Sequence, residues 1–171
     1  PPSEARSLII QVTNGCSWNR CTFCEMYTAP QKKFSVKPQT EIEQELQQVA
    51  ASGYPVRRVF LADGDAMTLS FRRLREILLA IRQYLPDVQR ISSYCLPRNL
   101  KRKSVSELKE LHDAGLHMLY IGAESGDDEV LRRVNKGETY ESTKDALLKI
   151  GEAGIKRSVM ILNGLGGKSL S

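Results

Sequence analysis

Apolar and polar positions follow two alternating rhythms along this chain of 171 residues. Short apolar runs, typical of buried strands, alternate with longer segments whose apolar residues recur every three or four positions, as in an amphipathic helix. The pattern predicts strands at residues 8–13, 56–62, 88–95, 117–123 and 155–162. It predicts helices at residues 40–52, 70–85, 104–114, 127–134 and 139–153, and a loop at 30–38.

Capping residues mark the ends of several predicted helices. Thr40 with Glu43, and Ser104 with Glu107, have the spacing of a capping box. Glycines follow three of the helices, at Gly53, Gly115 and Gly154, as expected after a helix C-terminus. These signals divide the chain into separate strand–helix units.

The repeated order of strand and helix predicts the fold class. Strands joined by crossover helices lie parallel, so we expect an α/β fold with one parallel sheet of (βα) repeats. Ligands bind at the carboxyl ends of the strands in such sheets. Polar or glycine-rich segments follow four of the five predicted strands there, which predicts a binding rim.

The first predicted strand is followed by Cys16, Cys21 and Cys24 in a C-x4-C-x2-C pattern. Three thiolates on one loop are soft ligands suited to an iron–sulfur cluster or to zinc. Four cysteines would close a [4Fe–4S] cluster, whereas three leave one iron open, and open sites usually carry chemistry. The alternative is a structural zinc site with His112 or His117 as its fourth ligand.

Acidic and glycine-rich segments follow the other strands. Asp63 and Asp65 could cap a turn, but two acids at a strand's carboxyl end are costly unless paired, which favours a binding role. The segment 164–169 resembles a phosphate-binding loop, as in a nucleotide-binding phosphotransferase. Leu162 occupies the position where that motif needs glycine, which disfavours the phosphate interpretation.

Composition narrows the class of protein further. The net charge is +5, and no apolar run is long enough to span a membrane. Only Cys95 lies outside the cysteine loop, which argues against a disulfide framework and for a cytoplasmic location. The basic residues are dispersed along the chain, so a nucleic-acid partner is not expected.

The cysteine loop and the rim residues together resemble the radical S-adenosylmethionine (radical SAM) superfamily. Its usual motif is C-x3-C-x2-C with an aromatic residue before the last cysteine; here Phe23 is that residue, and the first gap is one residue longer. The segment 120–137 is similar to oxygen-independent coproporphyrinogen oxidases and methylthiotransferases. The resemblance implies a partial TIM-like barrel with five of six βα units visible, so residues 1–171 are expected to be a core domain truncated at its C-terminal end.

The resemblance implies that Cys16, Cys21 and Cys24 bind a [4Fe–4S] cluster beside S-adenosylmethionine. Phe23 would lie near the adenine, the acidic pair near the methionyl amino group, and Lys136 near the methionyl carboxylate. Lys136 could alternatively be an ordinary lysine near a helix C-terminus, and Ser125 could cap the short helix. The residues implied around S-adenosylmethionine are Phe23, Asp63, Gly64, Asp65, Ser93, Tyr94, Glu124, Ser125, Lys136, Leu162, Asn163, Gly164 and Leu165.

The implied activity is reductive cleavage of S-adenosylmethionine to a 5′-deoxyadenosyl radical, which abstracts hydrogen from an unknown substrate. The family implies an electron donor such as flavodoxin or ferredoxin. The alternative is a non-catalytic module that binds a closed cluster or structural zinc, for which the rim acids would have no use. Without a sixth unit, we expect the chain to keep its cofactor site but not to turn over substrate.

Overall fold

The computed structural model describes residues 1–169 and builds them around one parallel sheet. The strands of the described residues are β1 (Leu8–Gln11), β2 (Thr13–Asn14), β3 (Ser35–Val36), β4 (Arg58–Ala62), β5 (Arg90–Cys95), β6 (Leu116–Glu124) and β7 (Lys156–Ile161). The α-helices are α1 (Gln39–Ala51), α2 (Phe71–Tyr84), α3 (Val105–Asp113), α4 (Asp128–Arg133) and α5 (Tyr140–Glu152).

The main sheet has five strands in the order β1-β4-β5-β6-β7, and every neighbouring pair is parallel. Each strand of the main sheet therefore lies beside the main-sheet strand that comes before it in the chain, and a crossover connection joins the two. This is the parallel (βα) repeat that the sequence predicts. Among the described residues, no helix is long and apolar enough to cross a membrane.

The helices cover one face of the sheet. Val59 and Leu61 of β4 are fully buried against a core that includes Ile42 of α1 and Leu74 of α2. Because successive side chains of a strand point to opposite faces, Phe60 points away from these helices. We call that opposite side the inner face of the sheet.

Aromatic rings line the inner face. The ring centroids of Phe60 and Tyr94 are 5.1 Å apart and their planes are nearly perpendicular. Tyr120 lies 6.1 Å from Phe60 and 6.2 Å from Tyr94, between ring centroids. The three rings form one apolar floor across the middle strands, because edge-to-face contacts suit aromatic pairs.

The predicted elements are all present, but two local predictions are wrong. The first strand stops at Gln11, and Thr13–Asn14 pairs antiparallel with Ser35–Val36, inside the segment predicted as a loop. Helix α1 begins after Pro38 without a side-chain cap, so Thr40 and Glu43 form no capping box. The box at Ser104 and Glu107 is confirmed, with reciprocal hydrogen bonds of 3.1 and 2.7 Å.

A buried glutamate ties the N-terminal segment to the inner face. Glu4 is 3% exposed, and its Oε1 accepts hydrogen bonds from the Tyr120 hydroxyl at 2.6 Å and Arg90 Nη2 at 2.8 Å. Its Oε2 accepts one from the Ser7 hydroxyl. Burial raises the pKa of Glu4, but these donors and the Arg90 charge lower it more, so the pKa lies below its ordinary value of 4.5.

We predict that Glu4→Gln lowers the free energy of unfolding by about 1–3 kcal/mol at neutral pH, because it removes a charge that accepts three buried hydrogen bonds. A carboxyl with a depressed folded pKa stabilises above its unfolded pKa, and this contribution is lost as pH falls through the folded pKa. The gap between variant and wild type should therefore shrink at about pH 3.

Urea unfolding at neutral and acidic pH measures the difference in the free energy of unfolding between Glu4→Gln and the wild type. Glu25→Gln, at an exposed loop position, is the control. An equal gap at both pH values would contradict the assigned role of the carboxylate.

Candidate functional site

The carboxyl ends of β4, β5 and β6 and the cysteine loop (residues 15–29) enclose a cavity of about 200 Å³. The predicted site residues that line it are Cys16, Cys21, Phe23, Cys24, Gly64, Tyr94, Glu124 and Lys136. Its other lining residues are Asn19, Met26, Tyr27, Cys95, Leu96, Tyr120, Gly122 and Met160. The rim predicted from the order of strands is thus one concave site.

The three thiols of the cysteine loop are half-buried in this cavity. Burial raises the pKa of Cys21; the Lys136 charge lowers it, and the neighbouring Cys16 and Cys24 raise it. Among the described residues, no three His, Cys, Asp or Glu side chains converge as ligands for a single metal ion.

This geometry disfavours the zinc alternative. His112 and His117 contact each other, with ring centroids 5.1 Å apart. They lie at the end of α3 and the start of β6, whereas the cysteine loop lies at the other end of that strand. The three thiols therefore have no histidine as a fourth ligand at their end of the sheet, whereas an open cluster needs only three thiolates from the protein.

One side of the cysteine loop is held by the acids after β4. The Tyr27 hydroxyl donates to Asp63 Oδ1 at 2.8 Å, and the Ser17 hydroxyl donates to Asp65 Oδ2. Lys32 Nζ lies 3.7 Å from Asp63 Oδ2.

Asp65 is 1% exposed, and burial raises its pKa against the lowering effect of its hydrogen bonds. Asp65 makes no side-chain cap to the short helix Ala66–Thr68, so the turn-capping alternative does not describe it. The Asp63 and Asp65 carboxylates thus bind the loop itself, and their contact with a ligand amino group stays a prediction. Gly64 between them lines the cavity, and a Cβ there would lie 2.6 Å from the Tyr27 ring.

The opposite wall carries a buried ion pair. Lys136 Nζ donates to Glu124 Oε1 at 3.1 Å, and the side chains are 5% and 11% exposed. The same ammonium lies 5.9 Å from the centre of the Phe23 ring. Lys136 is therefore a buried residue of the cavity lining, rather than the ordinary lysine near a helix C-terminus that was its alternative.

Eight predicted residues stay outside the cavity lining: Asp63 and Asp65, which face the cysteine loop, and Ser93, Ser125, Leu162, Asn163, Gly164 and Leu165. Ser93 is fully buried among the helices, where its hydroxyl donates to the Leu61 carbonyl at 3.2 Å. Tyr94, one position later, takes the inner face because strand side chains alternate. Ser125 lines a separate cavity beside α5, and its hydroxyl accepts a hydrogen bond from the Asp127 amide at 3.1 Å.

The segment after β7 is also outside the cavity lining. Leu162 donates its amide to the Glu124 carbonyl at 2.9 Å, and its side chain is 43% exposed. Asn163, Gly164 and Leu165 follow in a turn. None of the four lines the cavity, so their predicted contact with adenine stays a prediction.

Two residues that the sequence did not single out shape the site. Gly122 lies where a Cβ would stand 2.2 Å from Glu124 Oε1, so only glycine leaves room for that carboxylate. A glycine inside an apolar strand is a signal of close approach and could have indicated this position. Tyr27 carries no such signal, because its partner Asp63 is remote in sequence.

A model of the radical SAM superfamily matches residues 10–171. The chain is 27% identical over 168 residues to 4′-phospho-dehydrooxetanocin synthase of Priestia megaterium, covering 87% of this chain and 22% of that protein. It is 24% identical over 132 residues to the heme chaperone HemW of Bacillus subtilis (strain 168), covering 75% and 35%. The chain thus spans well under half the length of these curated relatives.

Solved structures share the fold. The cobalamin-dependent S-adenosylmethionine radical enzyme OxsB, solved with aqua-cobalamin and S-adenosylmethionine bound, superposes with a TM-score of 0.71 at 19% identity, over 91% of this chain and 23% of that one. Methylornithine synthase (PylB) gives 0.66 at 17% identity, over 93% and 45%. These matches confirm the predicted partial TIM-like barrel.

We predict that Gly122→Ala lowers the free energy of unfolding by about 1–3 kcal/mol, because the added methyl displaces the Glu124 carboxylate from Lys136. Gly126→Ala is the matched control, since nothing lies within 4 Å of a Cβ there. It should change stability by less than about 0.5 kcal/mol. Denaturant unfolding measures both, and equal stability of the two variants would contradict the close packing around the ion pair.

Proposed function

We propose that this chain, which belongs to the radical SAM superfamily, holds a [4Fe–4S] cluster on Cys16, Cys21 and Cys24 and binds S-adenosylmethionine beside it. One observation carries the proposal. The three thiols and the buried Glu124–Lys136 pair line the same cavity at the carboxyl ends of the strands. A purely structural metal site has no use for that pair.

The donor set fits an open cluster. Thiolates are the usual ligands of iron–sulfur clusters, and three of them leave one iron for a small molecule. Such a cluster, held by Cys16, Cys21 and Cys24 and reduced, would supply the one electron for reductive cleavage of S-adenosylmethionine to methionine and a 5′-deoxyadenosyl radical, which would take hydrogen from a substrate. The chain's own residues bind, orient and shield that cofactor.

The ion pair suits the amino-acid end of S-adenosylmethionine. That group carries an ammonium and a carboxylate, and Glu124 and Lys136 offer one charge complementary to each. Charge-assisted hydrogen bonds of this kind are shorter and stronger than neutral ones. In the free chain the two side chains satisfy each other at 3.1 Å, so neither waits as an unpaired buried charge.

The apolar lining supports a second task, which is to exclude water. Phe23, Leu96 and Met160 line the cavity, and Tyr94 joins it to the aromatic inner face. An apolar wall strengthens electrostatic contacts inside the site and keeps a reactive intermediate away from solvent. These residues are proposed to pack against the cofactor and the substrate.

The proposal extends to the surroundings of the enzyme. A flavodoxin or ferredoxin would supply the electron, and a reducing cytoplasm would keep the three thiols free for the cluster. The chain covers 22% of the synthase relative and 35% of HemW, so turnover of a substrate by these 171 residues alone is not proposed.

We predict that anaerobic reconstitution with iron and sulfide gives a [4Fe–4S] signal in the electron paramagnetic resonance (EPR) spectrum of the reduced chain. Adding S-adenosylmethionine should change its shape, because the ligand occupies the open iron. Cys21→Ser should lose the cluster, whereas Cys95→Ser, at the cysteine outside the loop, should keep it. A signal indifferent to S-adenosylmethionine would indicate a binding module, and stoichiometric zinc without a cluster would overturn the proposal.

We predict that Lys136→Gln weakens S-adenosylmethionine binding roughly tenfold while iron content stays at the wild-type level, since the amide removes the charge but still donates to Glu124. Lys144→Gln is the control, because Lys144 pairs with Glu141 on the exposed surface of α5. Titration of the EPR change gives the affinity. Equal affinity in the two variants would remove Lys136 from the binding site.

A further inference from the structure

Trp18 lies between the first two cysteines of the loop but outside the cavity lining. Its indole Nε1 donates to the Asn135 carbonyl at 2.8 Å. The guanidinium carbon of Arg98 lies 3.9 Å from the ring centre, and that of Arg20 lies 5.2 Å away. The ring thus attaches the cysteine loop to the segment that follows α4, through one hydrogen bond and close cation–π contact.

Arg98 is itself held firmly in place. Its Nε donates to Glu138 Oε1 at 2.8 Å, and its backbone amide donates to the same oxygen at 3.1 Å. The Glu138 side chain is 2% exposed, and its other oxygen accepts from the Ser142 hydroxyl at 2.8 Å. Because both oxygens of this buried carboxylate accept hydrogen bonds, two of them from Arg98, the guanidinium is held in place over the indole.

Gly137 completes the contact. Its φ is +71°, a conformation that favours glycine, and a Cβ there would lie 2.3 Å from the Trp18 ring. The same Cβ would lie 2.5 Å from Arg98 Nη2. The indole and the guanidinium therefore pack directly on the backbone next to Lys136.

We infer that Trp18, Arg98, Gly137 and Glu138 form a latch that sets the position of the cysteine loop relative to the Glu124–Lys136 pair. The contacts flank Lys136 on both sides, at Asn135 and Gly137. A second hydrogen bond, from the Thr22 amide to the Val134 carbonyl at 3.0 Å, joins the same two segments. The inference rests on the proposed function, since it assigns the latch to the alignment of cluster and S-adenosylmethionine.

Trp18 and Arg98 are positioning residues in this scheme, because neither lines the cavity. The first gap of the cysteine motif, which is one residue longer than usual, contributes to the latch. That gap contains Trp18, and the indole anchors it outside the cavity while the thiols face inward. Release of the latch should therefore loosen the alignment of the site without removing any group that touches the cofactor.

The first test uses the chain without a cluster. Trp18 is the only tryptophan, so fluorescence excited at the red edge of tryptophan absorption, where the six tyrosines absorb little, reports this ring alone. Arg98→Ala should shift the emission to longer wavelength and increase quenching by acrylamide, because the ring loses its cover. Glu138→Gln should give a smaller change in the same direction. Arg102→Ala, which removes an exposed arginine four positions further along the chain, is the matched control and should change neither property.

The second test uses the reconstituted chain and separates positioning from folding. Arg98→Ala should keep the iron content of the wild type but need about tenfold more S-adenosylmethionine for the same EPR change. Trp18→Phe keeps a ring for Arg98, so it should respond closer to the wild type than Trp18→Ala. A purely structural role would instead lower the unfolding temperature and the iron content together, with an unchanged dependence on S-adenosylmethionine.

The two tests fail in different ways. No fluorescence change in Arg98→Ala would overturn the latch, and a fluorescence change with unaltered S-adenosylmethionine dependence would overturn its positioning role. If the wild-type chain takes up no cluster, the proposed function fails and the positioning role fails with it. The fluorescence of the cluster-free chain then still decides whether the latch contact exists.

Discussion

The cysteine loop contains no helix or strand of its own, so its shape depends on hydrogen bonds to its two neighbours. On one side, Tyr27 and Ser17 donate to the acids that follow β4. On the other, Trp18 and Thr22 donate to carbonyls in the segment after α4. Both attachments therefore contribute to the placement of the three thiols around the cavity.

The parallel sheet sets the distance between these two attachment points of the cysteine loop. β4 and β6 lie on either side of β5, so the segments after them reach the same rim with one strand between them. The helices bury the other face with apolar side chains such as Ile77, Leu108 and Ile150, which fixes the strands that carry the rim. Packing of the helices against the sheet thus determines where the residues of the inner face lie, because a close-packed core is stiff and transmits displacements.

The sequence predicted the fold and the rim because both follow from periodicity, which each segment carries by itself. It could not assign partners across long separations. Asp63 and Asp65 were predicted to meet a ligand, yet their carboxylates face Tyr27 and Ser17 of the loop. Ser93 and Tyr94 were equivalent candidates until the register of β5 turned Tyr94 inward. The two-residue strands β2 and β3 are too short to show any period.

The presence of the buried Glu124–Lys136 pair is not explained by its contribution to the stability of the fold. A buried ion pair is weak support for a fold, because the desolvation of two charges offsets most of their attraction, and apolar side chains of similar volume often serve as well. Here β6 also gives up a side chain at Gly122 to admit the carboxylate, and Glu124 adopts a φ of +66°. Such local costs are typical of functional sites. Both costs have a purpose if Glu124 and Lys136 separate to bind a ligand that carries a positive and a negative charge.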